Sequence, residues 1–167
     1  DLNSLLEFGP RLKVLLAEPS AASRLRLELP LRVPVELRNG FRRQGLVFEP
    51  RLVAEAGDKT GLWQADANIG AVFGNARLHQ YFYGVDPQYA TATRPAFQAD
   101  SGLMMTRLGV SLSRRLSPDW RVFGFTRYDN YTGAANRDSP LFRRNSGLSV
   151  GIGFTWTAHR SQARAWD

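Results

Sequence analysis

Few side chains in this sequence could carry out covalent chemistry. It has no cysteine and two histidines, His79 and His159, so thiol catalysis, disulfides and Cys-ligated metals are excluded. No histidine has a serine and a carboxylate in a catalytic order, and no Gly-x-Ser-x-Gly elbow occurs. No histidine or acidic cluster has metal-ligand spacing. We therefore expect no enzymatic activity, cofactor or metal; a Ser-His membrane hydrolase is the enzymatic alternative.

Positive charge is the most prominent chemical feature of the chain. The net charge of +7 comes almost entirely from arginine. A basic protein can bind nucleic acid, but these arginines alternate with leucines along extended segments instead of forming a run. We expect no nucleic-acid partner.

The stretch from Arg24 to Arg38 alternates without a slip. Apolar residues occupy its odd positions, from Leu25 to Leu37, and charged residues or prolines occupy the even ones. Period two indicates a strand with one apolar and one polar face. Soluble strands are usually about five or six residues long, whereas a tilted strand needs roughly 9–11 residues to cross a bilayer. The pattern indicates lipid on one side and a polar lumen on the other; the alternative is a soluble β-rich binding module.

Similar patterns predict eight strands and no helix. They cover residues 6–16, 24–38, 46–55, 63–73, 76–83, 104–113, 120–128 and 147–156. The facing of the seventh is ambiguous, because Arg121, Phe123, Phe125 and Arg127 share one parity. No run of eighteen apolar residues indicates a transmembrane helix. We predict an all-β fold, an antiparallel transmembrane β-barrel of about eight strands, either complete or part of a larger barrel.

Charges of both signs lie on the predicted polar faces. We expect the following residues to face the lumen: Arg11, Arg26, Arg32, Glu36, Glu49, Arg51 and Arg107. Cross-strand ion pairs among them would fill the interior. Alternatively, the excess of arginine would form a selectivity surface for anionic solutes.

The predicted connections suggest a topology. Residues 39–40, 74–75 and 117–119 are short turns, which outer-membrane barrels place in the periplasm. The long loops 86–99 and 129–144 would then face outside, with both chain ends periplasmic. Pro10, Pro30, Pro34 and Pro50 fall inside strand patterns, so we expect bulges there, or lumen side chains and water bonded to the orphaned carbonyls.

Two segments carry a family resemblance. Residues 81–90, Tyr-Phe-Tyr-Gly-Val-Asp-Pro-Gln-Tyr-Ala, followed by Arg94-Pro95-Ala96-Phe97, resemble the MipA/OmpV family of outer-membrane proteins. So do Asp138-Ser139-Pro140-Leu141 after Gly133-Ala134-Ala135, the segment 6–10, and the final strand. The resemblance covers nearly the whole chain. Its family boxes contain Tyr81, Tyr83, Gly84, Val85, Asp138, Ser139 and Pro140.

The resemblance implies a place and a role. It implies the outer membrane of a Gram-negative cell, with lipid and lipopolysaccharide around the protein. The implied role is a non-enzymatic scaffold that links a murein-degrading lytic transglycosylase to a bifunctional penicillin-binding protein. The alternative is a small-solute channel with an arginine-rich lumen.

Family members are longer, so we expect this chain to match their C-terminal two-thirds. Residues 1–157 would form the barrel domain and residues 158–167 a periplasmic tail. Gly151, Phe154 and Trp156 resemble the terminal signal that the barrel-assembly machinery recognises.

The box at Asp138 is expected to fold its loop back over the barrel mouth. The loop 129–144 would then lie beside the loop 83–94. Arg137, Arg143 and Arg144 could form ion pairs there with Asp138, Asp86 or Asp100.

Overall fold

Antiparallel strands dominate the computed structural model, which describes residues 3–37 and 40–158. The strands are β1 (Leu5–Phe8), β2 (Arg11–Ser20), β3 (Ser23–Glu36), β4 (Arg42–Arg43), β5 (Val47–Phe48), β6 (Arg51–Gly57), β7 (Trp63–Gly74), β8 (Gly102–Arg115), β9 (Trp120–Asn130) and β10 (Ser146–Trp156). One α-helix, α1 (Ala76–Tyr83), and a 3-10 turn, Pro87–Tyr89, lie between β7 and β8. The predicted all-β antiparallel fold is confirmed.

The strands form one barrel-like sheet. In the described part of the chain, β1 and β2 together form one long strand beside β3, and β4, β5 and β6 together form another on the other side of β3. With β3, β7, β8, β9 and β10 this gives seven long strands side by side. Each long strand pairs with the one that follows it in sequence, as in Val14↔Leu27 and Leu52↔Ile69. Within the described residues, the outer edges of β2 and β10 have no ladder partner.

The predicted fifth strand is wrong, because residues 76–83 form α1. Asn75 caps the helix, and its Oδ1 accepts a hydrogen bond from the Leu78 amide at 3.1 Å. The amide of Gly84 donates to the Gln80 carbonyl at 2.9 Å and ends it. Leu78 packs on Val47, Val72 and Met104. The aromatic content of the segment favours a strand, but the capping Asn and the terminal Gly are helix signals.

The predicted topology is also corrected. The short turns at residues 21–22, 58–62 and 116–119 share one end of the sheet, the turn end, where β10 finishes. The end of β3, the start of β4 and the connections 75–101 and 131–145 share the other end, the loop end, where β1 begins. Residues 74–75 and Gly40 therefore lie at the end opposite 117–119, and Asn39 lies outside the described residues. The described chain has seven long strands, which is an odd number. β1 therefore begins at the loop end and β10 finishes at the turn end, whereas the two had been expected on one side.

The long strands have an exposed, mainly apolar face and an opposite, mainly polar face. Leu31, Leu52, Ile69, Leu108, Val110, Val150 and Ile152 are among the exposed apolar residues. Trp63, Trp120 and Trp156 lie at the turn end of this apolar face, and Phe8, Phe48, Phe73 and Tyr128 lie toward its loop end. From Trp63 to Phe73 is about 33 Å of strand, or about 25 Å along a bilayer normal at the usual barrel tilt.

The structure resolves the ambiguous strand β9. Its pairing with β8 and β10 places Arg121, Phe123, Phe125 and Arg127 all on the polar face. The Phe125 ring lies over Gly151, where an added Cβ would come within 2.5 Å of the ring. Phe123 covers Gly153 in the same way. The glycines of β10 therefore make room for aromatic side chains of β9.

The expected bulges are absent at three of the four strand prolines, because the register continues unchanged past Pro10, Pro30 and Pro50. The carbonyls of Pro10, Pro30 and Pro50 accept hydrogen bonds from Leu31, Glu49 and Ala71 at 3.0, 3.1 and 3.1 Å. Pro34 accepts from Gln44 at 2.8 Å. Near Pro34 the register of β3 shifts by one residue between β4 and β5, which is the expected bulge. Other register shifts lie after Leu15 in β2 and at Met104 in β8. The shift in β8 buries Met104.

Candidate functional site: an ion-pair network under a helical cap

The first half of the network centres on Glu28 of β3. Its side chain is 3% exposed, and its Oε2 accepts from Arg51 at 2.7 Å and lies 3.4 Å from the Arg11 guanidinium. Its Oε1 lies 3.6 Å from Arg26 and 3.9 Å from Lys13. Four cations on β2, β3 and β6 therefore share one carboxylate.

The second half centres on Glu49, just after β5. Its side chain is 2% exposed and pairs with Arg32, with Arg107 at 3.1 Å and with Arg51 at 3.8 Å. Arg107 reaches on to Asp129 of β9, with Nε 2.7 Å from Oδ1. Because Arg51 contacts both Glu28 and Glu49, the two halves join into a single chain of ion pairs from β2 to β9.

The network contains more cations than anions. Its cationic members are Arg11, Lys13, Arg26, Arg32, Arg51, Arg107 and Arg127, and its anionic members are Glu7, Glu28, Glu49, Glu55 and Asp129. Six of the seven residues expected to face a lumen belong to it. The seventh, Glu36, is buried on the same face and accepts hydrogen bonds from Asn3 and Gln44.

A helical cap covers the loop end of the polar face. It consists of α1 and the parts of the connections 75–101 and 131–145 that form hydrogen bonds with it. His79 is fully buried, and its Nε2 lies 3.2 Å from the Gly102 carbonyl. Its Nδ1 pairs with the side-chain amide of Asn136, which also donates to the Asp100 carbonyl at 2.8 Å. A donating Nε2–H and an accepting Nδ1 satisfy a neutral imidazole. Burial lowers the pKa of His79, and the Gly102 carbonyl offsets part of this shift.

The two family boxes meet in this cap. The Ser139 hydroxyl donates to the Tyr83 carbonyl at 2.7 Å, and Pro140 follows it half-buried. The Tyr83 ring lies between His79 and Phe142, with centroids 5.8 and 6.1 Å away. Tyr81 contacts the Asn3 backbone through its hydroxyl, and Gly84 ends α1. Val85 is buried and bridges to Phe97 through two backbone hydrogen bonds.

The expected residues of this contact are corrected in part. Asn136 and Ser139 join the two loops, whereas Asp138 is exposed. Arg137 donates to the Thr132 carbonyl at 2.6 Å instead of joining an acidic partner. No motif indicated Asn136 in the sequence, because its partner His79 lies far away along the chain.

Basic clefts lie at both ends of the sheet. At the loop end a cleft of about 720 Å³ is lined by Arg42, Arg77 and Arg94 with Tyr81 and Tyr89. At the turn end a cleft of about 630 Å³ includes Arg24, Lys59, Arg115 and Arg121. There Arg115 donates to the Gly61 carbonyl at 2.9 Å and Arg121 to the Ser113 hydroxyl at 3.0 Å. Both of these guanidinium groups thus contact neutral partners at the turn end.

The expected assembly residues lie on β10. Gly151 lies beneath the Phe125 ring, whereas Phe154 and Trp156 are exposed on the apolar face. Both aromatic rings contact Trp120 of β9, at 5.4 and 6.3 Å between centroids. The expected periplasmic tail, apart from Ala158, lies outside the described residues, as does His159.

Two searches of the described residues were negative. No group of three or more His, Cys, Asp or Glu side chains there could hold a metal ion. No helix there is long and apolar enough to cross a membrane.

One comparison with known proteins gives a match. The family model described as MltA-interacting protein MipA matches residues 1–158. No curated protein and no solved structure matches the chain. Because the family match covers nearly every residue, the chain belongs to the MipA family.

Proposed function

We propose that this protein is a non-enzymatic scaffold in the outer membrane of a Gram-negative cell. The observation that carries the proposal is the polar face, where ion pairs run from β2 to β9 beneath the cap. A sheet with apolar side chains outside and buried charges inside suits a bilayer better than water. Since its interior is occupied by paired side chains, the protein offers surfaces to partners instead of a passage to solutes.

The turn end is the proposed periplasmic side. Short turns gather there, and in outer-membrane barrels short turns are periplasmic and long loops extracellular. Residues 116–119 and the end of β10 would therefore face the peptidoglycan. The cap and the arginine-lined cleft beside α1 would face outside.

The proposed partners are envelope enzymes. The family description names MltA, and the resemblance implies that a lytic transglycosylase and a bifunctional penicillin-binding protein assemble on such a scaffold. Both act on peptidoglycan, so they would dock at the turn end. Arg115 and Arg121, which contact neutral groups there, supply positive charge for an acidic patch on a partner.

Charge reversal at the two ends tests this proposal. The protein in lipid vesicles is mixed with a purified lytic transglycosylase, and binding is measured at several salt concentrations. Arg115→Glu with Arg121→Glu should weaken binding about tenfold, because the attraction becomes repulsion. Arg94→Glu, an exposed change at the loop end, is the control and should leave binding unchanged. Loss of binding in the control variant alone would show that the partner docks at the loop end, which contradicts the proposal.

The small-solute channel is the second candidate function. The excess of cations over anions in the network would favour anionic solutes if water could pass. A channel requires that the pairs around Glu49 and the cap leave a continuous path. Conductance measurements separate the two functions.

The assembly role of β10 is also a proposal. Phe154 and Trp156 stand exposed on an edge strand, where the barrel-assembly machinery could pair with them. Replacing both with Ala should leave the protein in the periplasm, detected by fractionation. A normal amount in the outer membrane would refute the role.

A further inference from the structure

A groove interrupts the apolar face above β9. It has a volume of about 630 Å³, and its walls include Val110 and Leu112 of β8 and Val150 and Ile152 of β10. Its floor is β9, where Gly124 and Thr126 are smaller than the residues beside them. The walls are exposed, Ile152 by 83%. The groove is thus a slot between two apolar ridges.

Gly124 creates the depth of this slot. In register it lies between Leu112 and Ile152. An added Cβ would meet only the Gly151 carbonyl, at 3.7 Å, which is ordinary van der Waals distance. No packing or backbone strain in the sheet requires glycine here. The absence of a side chain at Gly124 deepens the groove on the outer surface.

A cation lies at the turn end of the groove. Arg114 lines it and is on the apolar side of β8, opposite Trp63 and Val122. Its guanidinium carbon is 5.0 Å from the centre of the Trp63 ring. Among the described residues Arg114 forms no ion pair, unlike the arginines of the ion-pair network. A guanidinium on an aromatic ring keeps its donors available for a phosphate.

The dimensions fit one leaflet of a bilayer. The groove extends from Val110 of β8 to Leu116, just after the strand, which is about 20 Å of extended chain, or about 15 Å along the normal of a tilted barrel. Half of a hydrocarbon core is about 15 Å. The deep end of the groove therefore lies near the bilayer midplane and Arg114 near the headgroups.

We propose that this groove is a binding site for one glycerophospholipid of the periplasmic leaflet. An acyl chain lies over Gly124, and the phosphate is held by Arg114 beside Trp63. The inference rests on the proposed outer-membrane placement and on the turn end being periplasmic. That side selects a glycerophospholipid over lipopolysaccharide, although both offer acyl chains and phosphate.

Lipid retention tests the site. The protein is extracted from outer membranes in mild detergent, and bound lipid is identified by native mass spectrometry. Wild type should retain one phospholipid per chain. Gly124→Leu fills the slot, and Arg114→Gln removes the charge while keeping a polar side chain. Each should lower retention about tenfold, since buried methylenes or a phosphate contact are lost. Ala54→Leu, an outward change on β6, is the control and should retain lipid like wild type.

Each other outcome counts against a defined claim. Unchanged retention in both folded variants would overturn the site. Retention of lipopolysaccharide in its place would overturn the assigned leaflet and lipid. If Gly124→Leu failed to insert, Arg114→Gln would decide alone. A wild-type protein that stays in water without detergent would instead overturn the proposed placement, which separates that failure from failure of the groove.

Discussion

At the scale of single residues, the carboxylate of Glu49 lies among Arg32, Arg51 and Arg107. Its side chain is almost completely buried, and the three cations, each of which reaches one further carboxylate, depend on it to offset their mutual repulsion. Glu28 lies in the same way among Arg11, Lys13, Arg26 and Arg51. Removing one such carboxylate leaves like charges facing each other with little solvent between them.

Glu49→Gln tests this dependence. The substitution keeps the shape and removes the charge, and we expect it to lower the free energy of unfolding by roughly 3–5 kcal/mol, the usual cost of breaking a buried pair. Glu18→Gln, in an exposed pair with Arg24, should cost no more than about 1 kcal/mol. Urea unfolding of the protein refolded in lipid vesicles provides both values. Equal losses would show that the network is solvated.

His79 gives the cap a pH dependence. Burial disfavours the charged imidazolium and lowers the pKa of His79 below its ordinary value of 6.5. Below pH 6.5 the opened cap therefore takes up a proton that the closed cap does not. The contribution of His79 to cap stability is fully present above that value and is lost as pH falls toward the lowered pKa.

Hydrogen exchange at two pH values measures this effect. After correction for intrinsic rates, amides of residues 76–101 and 131–145 should lose protection between about pH 8 and about pH 5. His79→Gln can still form hydrogen bonds but does not titrate, so its protection should not fall. The same loss in that variant would assign the pH dependence to another group.

At the scale of elements, the cap shows how far local patterns reach. Alternation places the seven long strands, because lipid or core on one side forces period two. It fails at α1, whose aromatic residues also suit a strand; only Asn75 and Gly84 indicated the helix. The partners Asn136 and Ser139 could not be predicted, since sequence spacing carries no information on which loops meet.

The coupling of the two long connections is the prediction at this scale. Ser139→Ala with Asn136→Ala removes the bonds to Tyr83, His79 and Asp100, leaving buried groups unsatisfied at about 1–3 kcal/mol each. Chymotrypsin should then cut after both Tyr89 and Phe142, one in each connection. Asp138→Ala, an exposed neighbour, is the control. Cleavage restricted to residues 131–145 would show that the loops open independently.

At the scale of the whole molecule, the two faces of the sheet are inverted relative to a soluble protein. The parity of the strands predicted this inversion, including the arginines that enter the network. The identity of each ion pair depends on register, which bulges and turns determine. Gly40 and residues 74–75 lie at the end of the sheet opposite residues 117–119, so the predicted grouping of these turns did not give the correct topology.

Arginine substitution tests the apolar face. Ile69 lies near the middle of the stretch from Trp63 to Phe73 on β7 and is exposed. Ile69→Arg should lower the free energy of unfolding in vesicles by about 2–4 kcal/mol, as at a bilayer midplane. Leu116→Arg, at the turn end, should cost at most about 1 kcal/mol. If the two variants unfold at the same urea concentration, this face does not lie in lipid.

Single-channel recording in a planar bilayer tests the central claim, that paired charges and the cap close the interior. The purified protein, inserted from detergent, should give no stable conductance steps at neutral pH. Insertion is verified in the same preparation by protection of β7 to β9 from protease. Regular, salt-dependent steps from the inserted protein would contradict a closed interior and favour the channel.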